Sequence, residues 1–215
     1  MNVLPVFGFG VLLTTAYLIG SVPFGLVIGK VFFGVDVRLH GSGNVGTTNV
    51  FRVLGKRAGV AVLACDMLKG YVPAALAATL FHPWWAIFIA AAPVVGHIYS
   101  IFLKGRGGKG IATGAAVVLA LVPLVFLIVV TVWIVLLLTT RYVSVASLAA
   151  ASLVPVLAYV FDEPTPYKIA GVLVAIVVWW AHRSNIRRLL RGEENRVKTL
   201  WSSRRDSATG GQEEA

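Results

Sequence analysis

Six apolar runs, at about 3–29, 58–81, 84–103, 111–139, 143–161 and 167–182, constrain the folding of this chain more than any other feature. A helix needs roughly 20 apolar residues to cross a bilayer without tilt, and fewer where the membrane is thinned or protein lines the segment. A soluble core could not hide this much apolar surface: 58% of the 215 residues are hydrophobic and the mean hydropathy is +0.84. The expected fold class is an all-α integral membrane protein. A single polytopic membrane domain should occupy residues 1–201, and 202–215 (SSRRDSATGGQEEA) has the composition of a disordered tail. The first run starts at Val3 with no basic region before it and no cleavage site leading to a soluble domain, so it reads as a retained helix.

The run 111–139 is too long for one span and short for two, and Pro123 near its middle offers a break. Basic residues decide between the options. If this run is a short hairpin, there are seven crossings, some of them short, and segments 30–57, 104–110, 140–142 and 183–215 face one side. Those segments hold 17 of the 19 Lys and Arg residues, with only Lys69 and Lys168 elsewhere. A single span would put the tail and the Lys104–Lys109 loop on opposite sides, against the positive-inside rule. Seven transmembrane helices are therefore expected, with the N-terminus outside and the C-terminus cytoplasmic. Trp84, Trp85, Trp179 and Trp180 fall near span ends, where interfacial aromatics sit.

Four polar clusters then share the cytoplasmic face. The first is Gly41-Ser42-Gly43-Asn44-Val45-Gly46-Thr47-Thr48-Asn49, with Arg52 one helical turn on. Glycines and small hydroxyls suit a loop that wraps a phosphate at a helix start. Thr48 and Arg52 are four apart and share a helical face, so both can reach one oxyanion. A capped helix start is the plainer alternative. The second cluster, Lys104-Gly105-Arg106-Gly107-Gly108-Lys109-Gly110 after Gly96-His97, can aim its N–H groups and Lys109 at phosphate, or can simply be a positive-inside loop. It is no Walker A loop, because Gly110 stands where Ser or Thr is required. The third is Arg141 to Ser147, with Ser147 opening a helix; the fourth runs from His182 to Leu190, with His182 and Asn185 on one face and Arg187, Arg188 and Arg191 suited to anionic lipid.

Absences narrow the chemistry. The nine acidic residues nowhere cluster as a Mg²⁺ or Zn²⁺ site would need, and the lone Cys65 excludes an internal disulfide and a thiolate metal cluster. No cofactor and no metal are expected. The net charge of +10 serves topology and anionic substrates or membrane lipids, with no nucleic acid as partner. No histidine has an Asp five positions later, there is no D-x-x-D-G run, and no G-x-S-x-G elbow occurs. Asp66 and Lys69, three apart inside an apolar run, read as an ion pair near a helix break at Gly70, with support of the site as a second role.

Gly20-Ser21-Val22-Pro23-Phe24-Gly25, the run Gly41–Arg52, Lys69-Gly70, Gly96-His97 with Lys104–Gly110, and His182-Arg183-x-Asn185-Ile186-x-Arg188-Leu189 stand in one order. Together, over about residues 10–197, they closely resemble the bacterial acyl-phosphate:glycerol-3-phosphate acyltransferase family, the PlsY type. Glu193 stands where family members often have Thr before Glu194. The resemblance implies transfer of a fatty acyl group from acyl phosphate to the sn-1 hydroxyl of glycerol 3-phosphate, giving lysophosphatidic acid and inorganic phosphate, the first acylation step of phospholipid synthesis. It implies a multi-pass protein of the bacterial cytoplasmic (inner) membrane, with its active site on the cytoplasmic face, and acyl phosphate rather than acyl-CoA as donor. A monomer is favoured.

The residues carried over as catalytic are Ser42, Thr48, Lys109, His182 and Asn185. Those carried over as binding the phosphates and the acyl carbonyl are Gly41, Gly43, Asn44, Arg52, Lys104, Gly107, Gly108 and Ser147. Two phosphorylated substrates give two cationic glycine loops a task each. The proton acceptor for the attacking hydroxyl is either a substrate phosphate oxygen or His182. A transporter for a phosphorylated solute is the competing class; against it, the polar residues collect on one membrane face, with no polar track through the bundle.

Overall fold

The computed structural model describes residues 3–197; the expected tail, 202–215, and the end of the domain at 201 lie outside the described residues. Within them the chain is all-α, in nine helices: α1 (Val3–Ser21), α2 (Phe24–Phe33), α3 (Thr47–Leu80), α4 (Pro83–Ile98), α5 (Ile111–Leu121), α6 (Pro123–Thr140), α7 (Val143–Val160), α8 (Thr165–Ala181) and α9 (Arg183–Leu190). Four segments are long and apolar enough to cross a membrane: Thr47–Leu80, Pro83–Leu103, Pro123–Thr140 and Val143–Val160. The count rises to six if the two bent pairs, α1 with α2 (47°) and α8 with α9 (56°), are each one span. α5 is apolar but only 11 residues long.

Breaks in these helices have local causes. The run 111–139 divides at Val122, as Pro123 suggested, and the proline takes the first position of α6, where its missing N–H costs nothing. The first run does not continue to residue 29 as one helix. Pro23 removes a donor, and the chain turns at Val22-Pro23 into α2. The segment 30–57 is more ordered than a connecting loop, because α3 starts at Thr47. Gly55, at φ 82° and ψ −173°, then kinks α3 two turns in. No break occurs at Gly70, through which α3 runs unbroken. The glycine is there for proximity: a Cβ on it would overlap the Thr113 carbonyl oxygen of α5.

The bundle packs α1 against α4, α3 against both α4 and α5, and α7 between α6 and α8. Small residues make these contacts. Ala16, Ala77, Ala86, Ile89 and Ala92 form one buried cluster between α1, α3 and α4, and Ala74, Ala90 and Val117 form another between α3, α4 and α5. Lipid tails are as apolar as leucine, so close backbone approach rather than expulsion of water drives such packing. α6 is the counterexample: it turns most of its surface outward, with Leu127, Ile134, Val135 and Leu138 exposed. Trp84 and Trp85 open α4 and Trp179 and Trp180 close α8, all half exposed.

Substituting Gly70 with valine forces α3 away from α5 and should lower stability by about 1–3 kcal/mol. Thermal unfolding in detergent measures this, and an unchanged midpoint would mean that the α3–α5 contact is not tight at Gly70.

Candidate active site

The loop before α3 is built around one side chain. Asn49 is buried in the first turn of α3, and its amide donates to the carbonyls of Val37 (2.9 Å), His40 (3.1 Å) and Asn44 (2.9 Å). Its Oδ1 accepts from the Ser42 N–H at 2.8 Å. Gly41, at φ 61°, passes so close to that Oδ1 that a Cβ could not be placed there. Asn44 Oδ1 accepts from the Gly46 N–H at 2.7 Å and turns the chain into α3. No side chain caps the start of α3, so its first amides are open to an anion. Ser42, Gly43, Thr48 and Arg52 are exposed around this helix start, with Thr48 and Arg52 on one helical face.

The second loop is organised differently from the expectation that its amides wrap a phosphate. The N–H groups of Gly105, Gly107 and Gly108 donate to the carbonyls of Ser100 (2.8 Å), Ile98 (2.9 Å) and His97 (2.9 Å) at the end of α4. Those three amides are therefore spent within the fold. The glycines serve close packing instead: side chains at Gly107 or Gly108 would overlap the His97 carbonyl or its imidazole Nε2. Lys104 sits exposed in the left-handed region (φ 52°). What the loop delivers is Lys109.

Lys109 Nζ donates to Asn185 Oδ1 across 76 residues of sequence. Asn185 Nδ2 in turn donates to Glu194 Oε1 at 2.6 Å, which also accepts from Ser144 Oγ at 3.0 Å. Glu194 Oε2 takes the Arg188 Nε–H at 2.7 Å. Burial works against the Glu194 carboxylate, but the hydrogen bonds from Asn185, Arg188 and Ser144 win and hold its pKa below the usual value. Burial moves Lys109 the other way, down to about 8; Glu194 resists this, while the charges of Arg188 and Arg52 add to it. The Arg52 charge of the first cluster therefore reaches Lys109.

His182 stands at the bend between α8 and α9, buried, with Nδ1 2.8 Å from the Val178 carbonyl. That contact assigns the Nδ1 proton and leaves Nε2 as the free lone pair. Ser147 does not open its helix; α7 begins at Val143, and the buried Ser147 hydroxyl, a turn further in, accepts from Trp133 Nε1 at 3.2 Å. The structure thus joins Lys109 and Asn185 by direct contact and sets Arg52 and His182 around the Lys109 charge. Among the described residues, no group of three or more His, Cys, Asp or Glu converges as a metal site would require.

Three groups were not assigned roles from sequence: Glu194, Ser144 and Asn49. Glu194 returns to the site because Gly192 (φ 71°) reverses the chain after α9, with Glu193 N bonded to the Arg188 carbonyl at 2.8 Å. An Asn in the first turn of a helix after a glycine loop is the available signal for Asn49. Glu194 and Ser144, 50 residues apart, left none.

The family described as glycerol-3-phosphate acyltransferase matches residues 10–192. A glycerol-3-phosphate acyltransferase of Geobacillus kaustophilus is 45% identical over 194 residues, covering 90% of this chain and 98% of the relative. One of Trichlorobacter lovleyi is 44% identical, covering 85% of this chain and 94% of its own length. Among solved structures, the glycerol 3-phosphate form of PlsY (YgiH), an integral membrane glycerol 3-phosphate acyltransferase, is similar at TM-score 0.87 and 42% identity, covering 91% of this chain and 98% of that one. Its lysophosphatidic acid form is similar at TM-score 0.84 and 42% identity, covering 90% and 97%. The uncapped helix start, the half-buried lysine beside an asparagine and the all-α membrane bundle therefore sit within a match spanning nearly the whole chain, and this chain belongs to the glycerol-3-phosphate acyltransferase family of integral membrane acyltransferases.

Proposed function

We propose that this acyltransferase moves a fatty acyl group from acyl phosphate to the sn-1 hydroxyl of glycerol 3-phosphate, forming lysophosphatidic acid and inorganic phosphate. The single observation that carries this reading is the meeting of Lys109 with Asn185, within electrostatic reach of Arg52. A cation-rich, half-buried site of this kind suits two phosphorylated substrates. The solved relative described with glycerol 3-phosphate and with lysophosphatidic acid supports the acceptor and the product.

In the step itself, the acceptor hydroxyl oxygen bonds to the acyl carbon while the bond from that carbon to the phosphate oxygen breaks. The acyl phosphate is a mixed anhydride with a good leaving group, so no covalent enzyme intermediate is needed. The hydroxyl proton passes to a substrate phosphate oxygen, and phosphate leaves. Lys109 and Arg52 stabilise phosphate charge in a partly dry site, with Lys104 at its exposed edge. Asn185 polarises the acyl carbonyl or orients the hydroxyl, assisted by Ser42 or Thr48, and Ser147 lines the apolar side. Gly41, Gly43 and Asn44 shape the first loop around its ligand, and Gly107 and Gly108 seat the second loop. Glu194 holds Asn185 in place, so that Lys109 meets the Asn185 oxygen rather than its amide nitrogen.

The positions of the cations support seven crossings with the N-terminus outside and the C-terminus cytoplasmic. α1, α3, α4, α5, α6, α7 and α8 would cross, with α2 and α9 lying along the cytoplasmic interface. α5 spans about 16 Å at 1.5 Å per residue, so its crossing relies on protein lining from α3, against which it packs. The site then opens to the cytoplasm of a bacterial inner membrane, in a monomer surrounded by membrane lipids.

Purified protein given palmitoyl phosphate and glycerol 3-phosphate should release inorganic phosphate only when both are present. No release, with uptake of glycerol 3-phosphate into proteoliposomes instead, would assign transport. The working form of Lys109 is its cation, present below a pKa of about 8 and lost above it, so kcat/KM should fall as pH rises through about 8. Lys109→Arg should move that limb to higher pH, and Lys109→Met should cost about 10²–10³ in rate. His182→Asn tests the proton acceptor. Loss of no more than ~10⁴-fold, with the pH–rate profile otherwise kept, is the expected result; a larger loss would make His182 the general base.

A further inference from the structure

Beneath the two glycine-rich loops lies a second polar cluster, buried in the bundle, that the acyl-transfer chemistry does not use. Asp66 and Lys69 of α3 are 1% and 3% exposed, and Lys69 Nζ lies 2.8 Å from Asp66 Oδ1. That approach lacks the geometry of a hydrogen bond, and Asp66 Oδ1 is without one. Lys69 Nζ also donates to the Val22 carbonyl at 3.0 Å, at the break between α1 and α2, and lies 5.5 Å from the centre of the Phe24 ring. Asp66 Oδ2 accepts from Thr47 Oγ1 at 3.5 Å, at the very start of α3. His97 Nδ1, at the end of α4, is 3.6 Å from Asp66 Oδ1 and 3.4 Å from Thr113 Oγ1 of α5.

Each of these partners is a structural end-point of the site. Thr47 is the first helical residue after the first loop. The His97 carbonyl and ring form the seat of Gly107 and Gly108 in the second loop. Val22 is the turn that brings α2 against the first loop, where a side chain at Gly25 would overlap the Val45 carbonyl. Ser100 Oγ reinforces the same junction by donating to the Ser21 carbonyl at 2.6 Å. One pair of charges therefore touches the carbonyl of the α1–α2 turn, the hydroxyl that opens α3 and the imidazole near the end of α4.

Stability alone does not account for such a pair. Charges within a membrane protein are costly, and a buried ion pair is often no more stabilising than well-packed apolar residues in its place. We infer that Asp66 and Lys69 are positioning residues: with His97 they hold the turn between α1 and α2, the start of α3 and the seat of the second loop in one register, so that the two glycine-rich loops face each other correctly. The inference rests on the proposed acyl transfer for its kinetic consequence, but its geometric consequence is independent of that reaction.

The decisive variant is Asp66→Asn with Lys69→Met, which removes both charges together and so avoids leaving one of them buried alone. Thermal unfolding in detergent should stay near the wild-type value, while kcat/KM for glycerol 3-phosphate falls about 100-fold, the scale of a small misplacement of reacting groups. Recovery of both stability and activity in this double variant would overturn the proposal. The second readout uses spin labels at His40→Cys and Arg106→Cys, one in each loop region, in a Cys65→Ala background. The double variant should broaden or shift the label-to-label distance distribution relative to the charged pair. An unchanged distribution would overturn the proposal even if the wild-type protein proved to transfer no acyl group, so the two readings fail separately. If the double variant does not fold, the same distance measured in His97→Asn decides, with a shift expected and constancy contradicting.

Discussion

Hydrocarbon offers a peptide group no partner, and this constraint orders the rest of the molecule. A chain with so many apolar residues must bond its backbone within helices, and any other backbone has to sit at helix ends or inside protein. The described residues follow that rule closely. The irregular segments, 34–46 and 99–110, are pinned by side chains and carbonyls rather than left open: Asn49 makes four bonds into the first, and the end of α4 takes two amides from the second. The site is assembled where the helical rule is relaxed, and the groups that stabilise the exceptions are the groups that shape the site.

Two kinds of charge do different work within that frame. The exposed cations, Arg52 and Lys104, stay in contact with water and can meet a soluble phosphate. Lys109 is half-buried, so its charge is held less firmly and responds to its neighbours. Glu194, itself held ionised by three hydrogen bonds, provides the counterweight that keeps Lys109 a cation near neutral pH. Asn185 between them fixes the orientation of both. The chain Lys109–Asn185–Glu194–Arg188 thus joins a loop, a bend between helices and a reversed C-terminal segment into one unit.

Much of this was legible in the sequence, and the gaps have physical reasons. Apolar run lengths gave the all-α membrane class, and Pro123 gave the division of α5 from α6, because a proline acts on its own backbone. The break at Val22-Pro23 carries the same local signal, but it lies inside an unbroken apolar run that masks it. Lys109 and Asn185 stood out as polar residues at the ends of apolar segments, but their contact depends on packing between distant helices. Glu194 could not be assigned from sequence because its place depends on a chain reversal at Gly192. The second loop left two readings open: glycines suit both phosphate approach and tight packing, and the partners of the Gly105, Gly107 and Gly108 amides favour packing at those three.

In the proposed reaction the acceptor hydroxyl attacks the acyl carbon of an acyl phosphate. Its most direct test is isotopic, with palmitoyl phosphate carrying oxygen-18 in the bridging position, unlabelled glycerol 3-phosphate and the purified protein. Mass spectrometry of the products should find all of the label in inorganic phosphate, none in lysophosphatidic acid, and one phosphate released per acyl group transferred. Label in the lysophosphatidic acid ester, or phosphate released without any lysophosphatidic acid, would contradict the account.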